Sequence, residues 1–130
     1  MNTQLDDRLA GATLSKAERN TVRRFVALMD EALGDDLCGL WLYGSRARGE
    51  TPRHDSDVDL LVIANGDREP RRRLAMDLSE EAALAEHESP FTYSVHVHDE
   101  EWLRRRREIE SFFIGEVDRD KIVLAGSDLL

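Results

Sequence analysis

The sequence predicts an α/β (α+β) domain, a small mixed β-sheet with helices packed on one face. Three observations carry this. Helical and strand-like segments alternate from Ser15 to Leu124. The strand-like segments are few and short, so one sheet accommodates them. Hydrophobic residues make up 41% of 130 residues, enough for one layered core and a single domain over 1–130.

The first element is a helix from about Ser15 to Leu33. Ser15 and Glu18 form a capping box, Val22, Phe25, Val26, Met29 and Leu33 recur at helical spacing, and Gly34 supplies the stop. Leu37 to Tyr43 is short, apolar and aromatic, and reads as a buried strand ending at Gly44-Ser45. Arg46 to His54 is polar and broken by Gly49 and Pro52. Asp57 to Ala64 reads as the second strand, closed by the turn Asn65-Gly66-Asp67. Pro70 opens a helix whose stripe is Leu74, Leu78, Ala82 and Ala85. Phe91 to His98 alternates, with Phe91, Tyr93, Val95 and Val97 on the buried face. Trp102, Ile109, Phe112 and Phe113 mark one further helix, and Ile122 to Leu124 a closing strand.

Composition excludes several classes. No apolar run approaches the roughly 18–20 residues of a bilayer span. The first seven residues lack the basic and apolar regions of a signal peptide. Cys38 is the only cysteine, which excludes an internal disulfide and a cysteine-rich zinc site. The expectation is a cytoplasmic protein away from membranes. A net charge of −9 repels phosphate and argues against non-specific nucleic-acid binding. Any phosphate-bearing ligand therefore needs a local device.

That device is sought in Gly44-Ser45-Arg46-Ala47-Arg48-Gly49, followed after a short loop by Ser56-Asp57-Val58-Asp59-Leu60. Residues two apart on a strand share a face, so Asp57 and Asp59 project together while Val58, Leu60 and Val62 enter the core. Two neighbouring carboxylates repel and are costly to desolvate, a cost that divalent cations remove. Mg²⁺ takes oxygen ligands from one or two carboxylates together with substrate phosphates. Two ions roughly 3.5–4 Å apart would clamp both oxygens of a phosphoryl displacement. Gly44 lets the backbone approach a phosphate closely, the Ser45 hydroxyl can bond it, and Arg46 and Arg48 can supply charge. A phosphate cradle followed by a carboxylate pair is the layout that a nucleoside triphosphate with Mg²⁺ requires.

These residues closely resemble the signature of the nucleotidyltransferase superfamily of DNA polymerase β, nearest to its minimal (MNT) branch, with a core motif over Trp41 to Ile63. The resemblance implies the nucleotidyltransferase α/β core and transfer of a nucleoside monophosphate, usually AMP from ATP. Gly44 and Ser45 would hold the triphosphate, and Asp57 and Asp59 would bind Mg²⁺. It also implies a partner: members of this branch are commonly antitoxins of HEPN ribonuclease toxins, and some inactivate the toxin by adding AMP. The expectation is thus a hetero-oligomer with a HEPN-domain protein. An alternative is a catalytically inactive adaptor that neutralises its partner by binding alone.

One departure stands out. The superfamily usually carries a third carboxylate on the next sheet strand, and Phe91 to Val97 contains no Asp or Glu. Either His96 serves as base, or Asp99, Glu100 or Glu101 reaches back, or the third role is missing. His54 and His98 read as polar surface. The run Arg104 to Arg107 is flanked by Glu100, Glu101, Glu108 and Glu110, so pairs at spacing three and four neutralise it. Cys38, in an apolar strand, reads as inert.

Overall fold

The computed structural model describes residues 3–53 and 56–130; His54 lies outside the described residues. The chain runs α1 (Thr3–Arg8), α2 (Lys16–Leu33), β1 (Leu37–Tyr43), α3 (Gly44–Ala47), β2 (Val58–Ala64), α4 (Arg68–Ala85), β3 (Tyr93–His98), α5 (Glu100–Glu108), α6 (Phe112–Asp120) and β4 (Ile122–Gly126). The four strands form one mixed sheet in the order β3-β2-β1-β4. β1 runs antiparallel to β2 and to β4, while β2 and β3 are parallel. A parallel pair needs a long crossover, and α4 supplies it.

The α/β class expected from the sequence is found, and the helices occupy both faces of the sheet rather than one. Leu40, Leu42, Val58, Leu60 and Val62 pack against α2 and α4. Trp41, Tyr43, Leu61 and Ile63 pack on the other face against Leu103, Ile114 and Val117 of α5 and α6. The reason is visible in the two central strands, which are near-continuous apolar runs. A strand buried on both faces has no polar alternation, and both its faces need cover.

The capping box at Ser15 is formed, with Glu18 N–H donating to Ser15 Oγ at 3.1 Å and Ser15 N–H donating to Glu18 Oε1 at 2.8 Å. On α4 the buried stripe is centred on Ala75, Ser79, Ala82 and Ala83, with Leu74 and Leu78 flanking it and Ala85 exposed. Small side chains there let α4 lie close to the sheet and to α2.

Three expectations are revised. No element was expected before Ser15, yet α1 docks Leu5 in the core. Phe91 is not on a strand: Pro90–Thr92 is a single 3-10 turn, Ser89 accepts from the Phe91 amide at 3.3 Å, and the ring is 92% exposed. The expected single helix from Trp102 to Phe113 is two helices. Glu110 takes φ +51°, with Ser111 N–H bonded to Arg106 O at 2.9 Å and Glu110 N–H to Arg107 O at 3.1 Å. That is a Schellman closure of α5, and it redirects the chain into α6.

Candidate functional site

β1 and β2 are neighbours, and their pairing brings Tyr43 opposite Asp59. The residue after Tyr43 is Gly44, with φ +78°. A Cβ on Gly44 would stand 2.4 Å from Asp59 Oδ2. Only glycine gives both the left-handed backbone and the room for this carboxylate. α3 starts here, and its first amides have no partner within the helix.

Asp59, Gly44, Ser45 and Arg48 line one cavity of about 300 Å³, together with Tyr43 and one face of α6. Asp57 precedes the first residue of β2 and is exposed. It lines a neighbouring cavity with Ser94 and Phe91. The two carboxylates thus line different cavities, yet are close enough for the charge of Asp57 to act on Asp59.

Burial of Asp59 and the charge of Asp57 push the Asp59 carboxyl up to about 6, only partly offset by Arg46 and Arg48. Burial and the Asp59 charge also push the Tyr43 phenol up. A raised carboxyl holds its proton more tightly in the folded chain than in the unfolded one. The contribution of Asp59 to stability therefore falls as pH rises from about 4 to about 6. With a chelator present, Asp59→Asn is expected to be more stable than the wild type above pH 6 by about 1–2 kcal/mol, a figure reduced for partial solvation. Urea denaturation at pH 4 and pH 7.5 measures this. A gap that stays constant with pH rules the assignment out.

Arg46, expected beside a phosphate, is placed otherwise. It is 5% exposed, and its guanidinium donates to Glu18 Oε1 at 2.8 Å, Thr13 O at 3.1 Å, Ser56 Oγ at 3.0 Å and Ser56 O at 3.2 Å. A guanidinium with those partners is spent on holding the protein together. It ties the start of α2 to both sides of the Gly44–Asp59 loop and draws the Glu18 carboxyl below its usual range against the opposing effect of burial. Arg48 is different. It lines the cavity and pairs with Glu50 at 2.8 Å and Asp120 at 3.2 Å.

The parallel β2–β3 register sets Ser94 beside Asp59 and His96 beside Leu61. Ser94 therefore occupies the position next to the carboxylate. His96 lies one step further along the same face, roughly 6–7 Å on. Ser94 Oγ and His96 Nε2 are 3.3 Å apart. Asp99, Glu100 and Glu101 do not reach back. They follow the far end of β3, about 16 Å from Ser94 at the rise of a strand. Asp99 caps α5 through the Trp102 amide at 2.8 Å, and Arg104 and Arg105 hold Glu101. Among the described residues no group of three or more His, Cys, Asp or Glu side chains is assembled for a metal.

His98 is not plain surface. Its ring stacks on Trp102 with centroids 3.7 Å apart and planes at 7°, and burial pushes it down to about 4. Three arginines of the Arg104–Arg107 run are paired, Arg104 and Arg105 with glutamates of α5 as the sequence suggests and Arg107 with Asp118 of α6 at 2.9 Å, while Arg106 lies over the Trp102 ring. The Cys38 thiol is pushed up to about 11 by burial and by Glu100 and is inert at neutral pH. No helix among the described residues is long and apolar enough to cross a membrane.

The sequence is similar to known proteins. Over 59 residues the chain is 42% identical to the "Putative protein adenylyltransferase" of Methanocaldococcus jannaschii. The match takes in 45% of this chain and 38% of that protein, so the chain matches well under half of its relative's length. A family profile described as nucleotidyltransferase domain matches residues 23–118, from the second turn of α2 through β1, α3, β2, α4, β3 and α5 into α6. With both carboxylates and the glycine-serine turn inside a match of that extent, this chain belongs to the nucleotidyltransferase domain family.

Proposed function

We propose that this nucleotidyltransferase moves AMP from ATP, with Mg²⁺, onto a hydroxyl of a protein acceptor. The observation that carries the proposal is the Asp59 carboxylate, pressed against Gly44, pushed up by burial and by Asp57, and open to a cavity with Ser45 and Arg48. A divalent cation fits that donor set, because hard oxygen ligands with surplus negative charge are what Mg²⁺ takes. Asp57 and Asp59 would hold it, with triphosphate oxygens and water as the other ligands. When bound, it neutralises phosphate charge and polarises the phosphorus under attack. A second ion requires the substrate to bring most of its ligands.

The chain's own residues supply the rest. Ser45 Oγ donates to a phosphate oxygen. Arg48 exchanges its Glu50 and Asp120 partners for the triphosphate. The acceptor oxygen attacks the α-phosphorus, the bond to the β-phosphate oxygen breaks, and pyrophosphate leaves. The acceptor's proton passes to Ser94 and from it to His96, a hydroxyl–imidazole pair already within 3.3 Å. His96→Ala is expected to slow transfer by roughly 10²–10⁴-fold with Mg·ATP affinity unchanged. Calorimetry and timed intact mass measure the two quantities, and an unchanged rate removes His96 from the mechanism.

The relative's name supports a protein acceptor. We propose that the acceptor is a HEPN-type ribonuclease toxin, held as a hetero-oligomer in the cytoplasm, with this chain as its antitoxin. The charge of −9 would steer it to a basic partner. Co-expression, size-exclusion chromatography and intact mass test this: the partner gains one or more AMP masses, and separate elution with no mass gain rejects it. One observation favours a second reading, the inactive adaptor. Ser94 stands beside Asp59 where the superfamily usually has a carboxylate. In that case the complex forms and the partner's mass never changes.

A further inference from the structure

One wall of the cavity is left without a role by the phosphate and metal chemistry. It is the face of α6 formed by Phe113, Glu116, Val117 and Asp120, spaced three and four apart. Glu116 and Asp120 on this wall hold their own arginine partners, Asp120 with Arg48 and Arg119 and Glu116 with Arg119, and add no positive charge for a phosphate, so a triphosphate lies against Gly44, Ser45 and Arg48 and turns its other end to α6. The cavity, at about 300 Å³, is at the small end of ligand sites. The far end of the nucleotide must therefore lie at its mouth.

Phe113 is the large apolar group there. Its ring is met edge-on by Tyr43, with centroids 5.6 Å apart and planes at 87°, and by Trp102 at 6.4 Å and 67°. Trp102 is itself clamped by His98 on one side, with Arg106 5.7 Å from its ring centroid. The ring is thus held by a chain of aromatic contacts, yet it stays 40% exposed. An aromatic ring that is fixed in place and still exposed beside a phosphate-binding turn is what a flat base can stack on. We propose that Phe113 is the platform for the nucleobase of the bound triphosphate, and that it makes the site prefer a nucleotide to bare polyphosphate. This rests on the nucleotide-binding reading above.

Phe112 provides an internal control. It is the same residue type, adjacent in sequence, 81% exposed and not part of the cavity. The test is calorimetry of the full chain with Mg·ATP and with Mg·tripolyphosphate. Phe113→Ala is expected to weaken ATP about tenfold and leave tripolyphosphate unchanged. Phe113→Trp should keep ATP affinity, and Phe112→Ala should change neither ligand. Equal binding of ATP by Phe113→Ala and wild type overturns the proposal, as does an equal loss of both ligands. Wild type binding neither ligand overturns the nucleotide reading itself, an outcome distinct from wild type binding both with Phe113 indifferent.

Discussion

Asp57→Asn together with Asp59→Asn is expected to lower AMP transfer by at least about 10³-fold while the protein stays folded. Metal and phosphate charge stabilisation is worth several kcal/mol in the transition state, and each 1.4 kcal/mol is tenfold. The amides keep the shape of the carboxylates but cannot replace two negative oxygens as ligands of a hard cation. Stability should not suffer. Asp59 is penalised by burial and by Asp57, and neither residue forms an ion pair among the described residues. The double variant should therefore melt at or above the wild-type temperature in chelator. It should also lose the Mg²⁺-dependent part of any thermal shift with ATP. Partner mass recorded over time gives the rate, and melting with and without Mg²⁺ gives the binding. Transfer at the wild-type rate would mean that the cation, if required, sits elsewhere.

Gly44→Val is expected to abolish Mg·ATP binding and to destabilise the fold by about 2–4 kcal/mol. Two costs coincide. A β-branched residue at φ +78° is strained by about 1–3 kcal/mol. Its Cβ would also lie 2.4 Å from Asp59 Oδ2, a distance that forces the carboxylate or the β1–α3 turn to move. The glycine matters because of the carboxylate behind it as well as the phosphate proposed to lie in front of it. A double-mutant cycle separates these terms. The stability penalty of Gly44→Ala should shrink in an Asp59→Gly background, where the clash is gone and only the backbone strain remains. Equal penalties in both backgrounds would show that the contact with Asp59 carries no energy. Chemical denaturation gives the stabilities, and calorimetry gives the binding.

Much of this protein is legible along the chain because the signals are local. Ser15 and Glu18 announce α2 three residues apart. Leu37–Tyr43 and Val58–Ala64 announce two buried strands by apolar runs alone. Gly44-Ser45 and Asp57-x-Asp59 announce a glycine turn and a carboxylate pair within one strand–loop–strand unit. Each depends on spacing within a few residues, and the polypeptide's own geometry enforces it. The break at Glu110 is not legible in the sequence, because a left-handed non-glycine residue leaves no sequence mark. The place of Phe91 is not legible either, because alternation continues formally through a turn that Pro90 and Ser89 impose.

What only the tertiary structure decided depends on register between distant segments. Ser94 stands beside Asp59, and the acids after β3 lie out of reach, because β2 and β3 pair in parallel at one register among several possible. Arg46 turns away from the cavity because Glu18, twenty-eight positions earlier, offers a buried carboxylate. Helices cover both faces because the continuous apolar strands could not be left half-bare, and a hydrophobic run does not say which element will cover it. Phe113 reaches the cavity because the closure of α5 turns the chain back toward β1. Local chemistry wrote the motif into the sequence. The neighbours that tune its charge, close its loop and shape its cavity come from elsewhere in the chain, where burial free energy summed over the whole core, rather than any local spacing, selects the pairing.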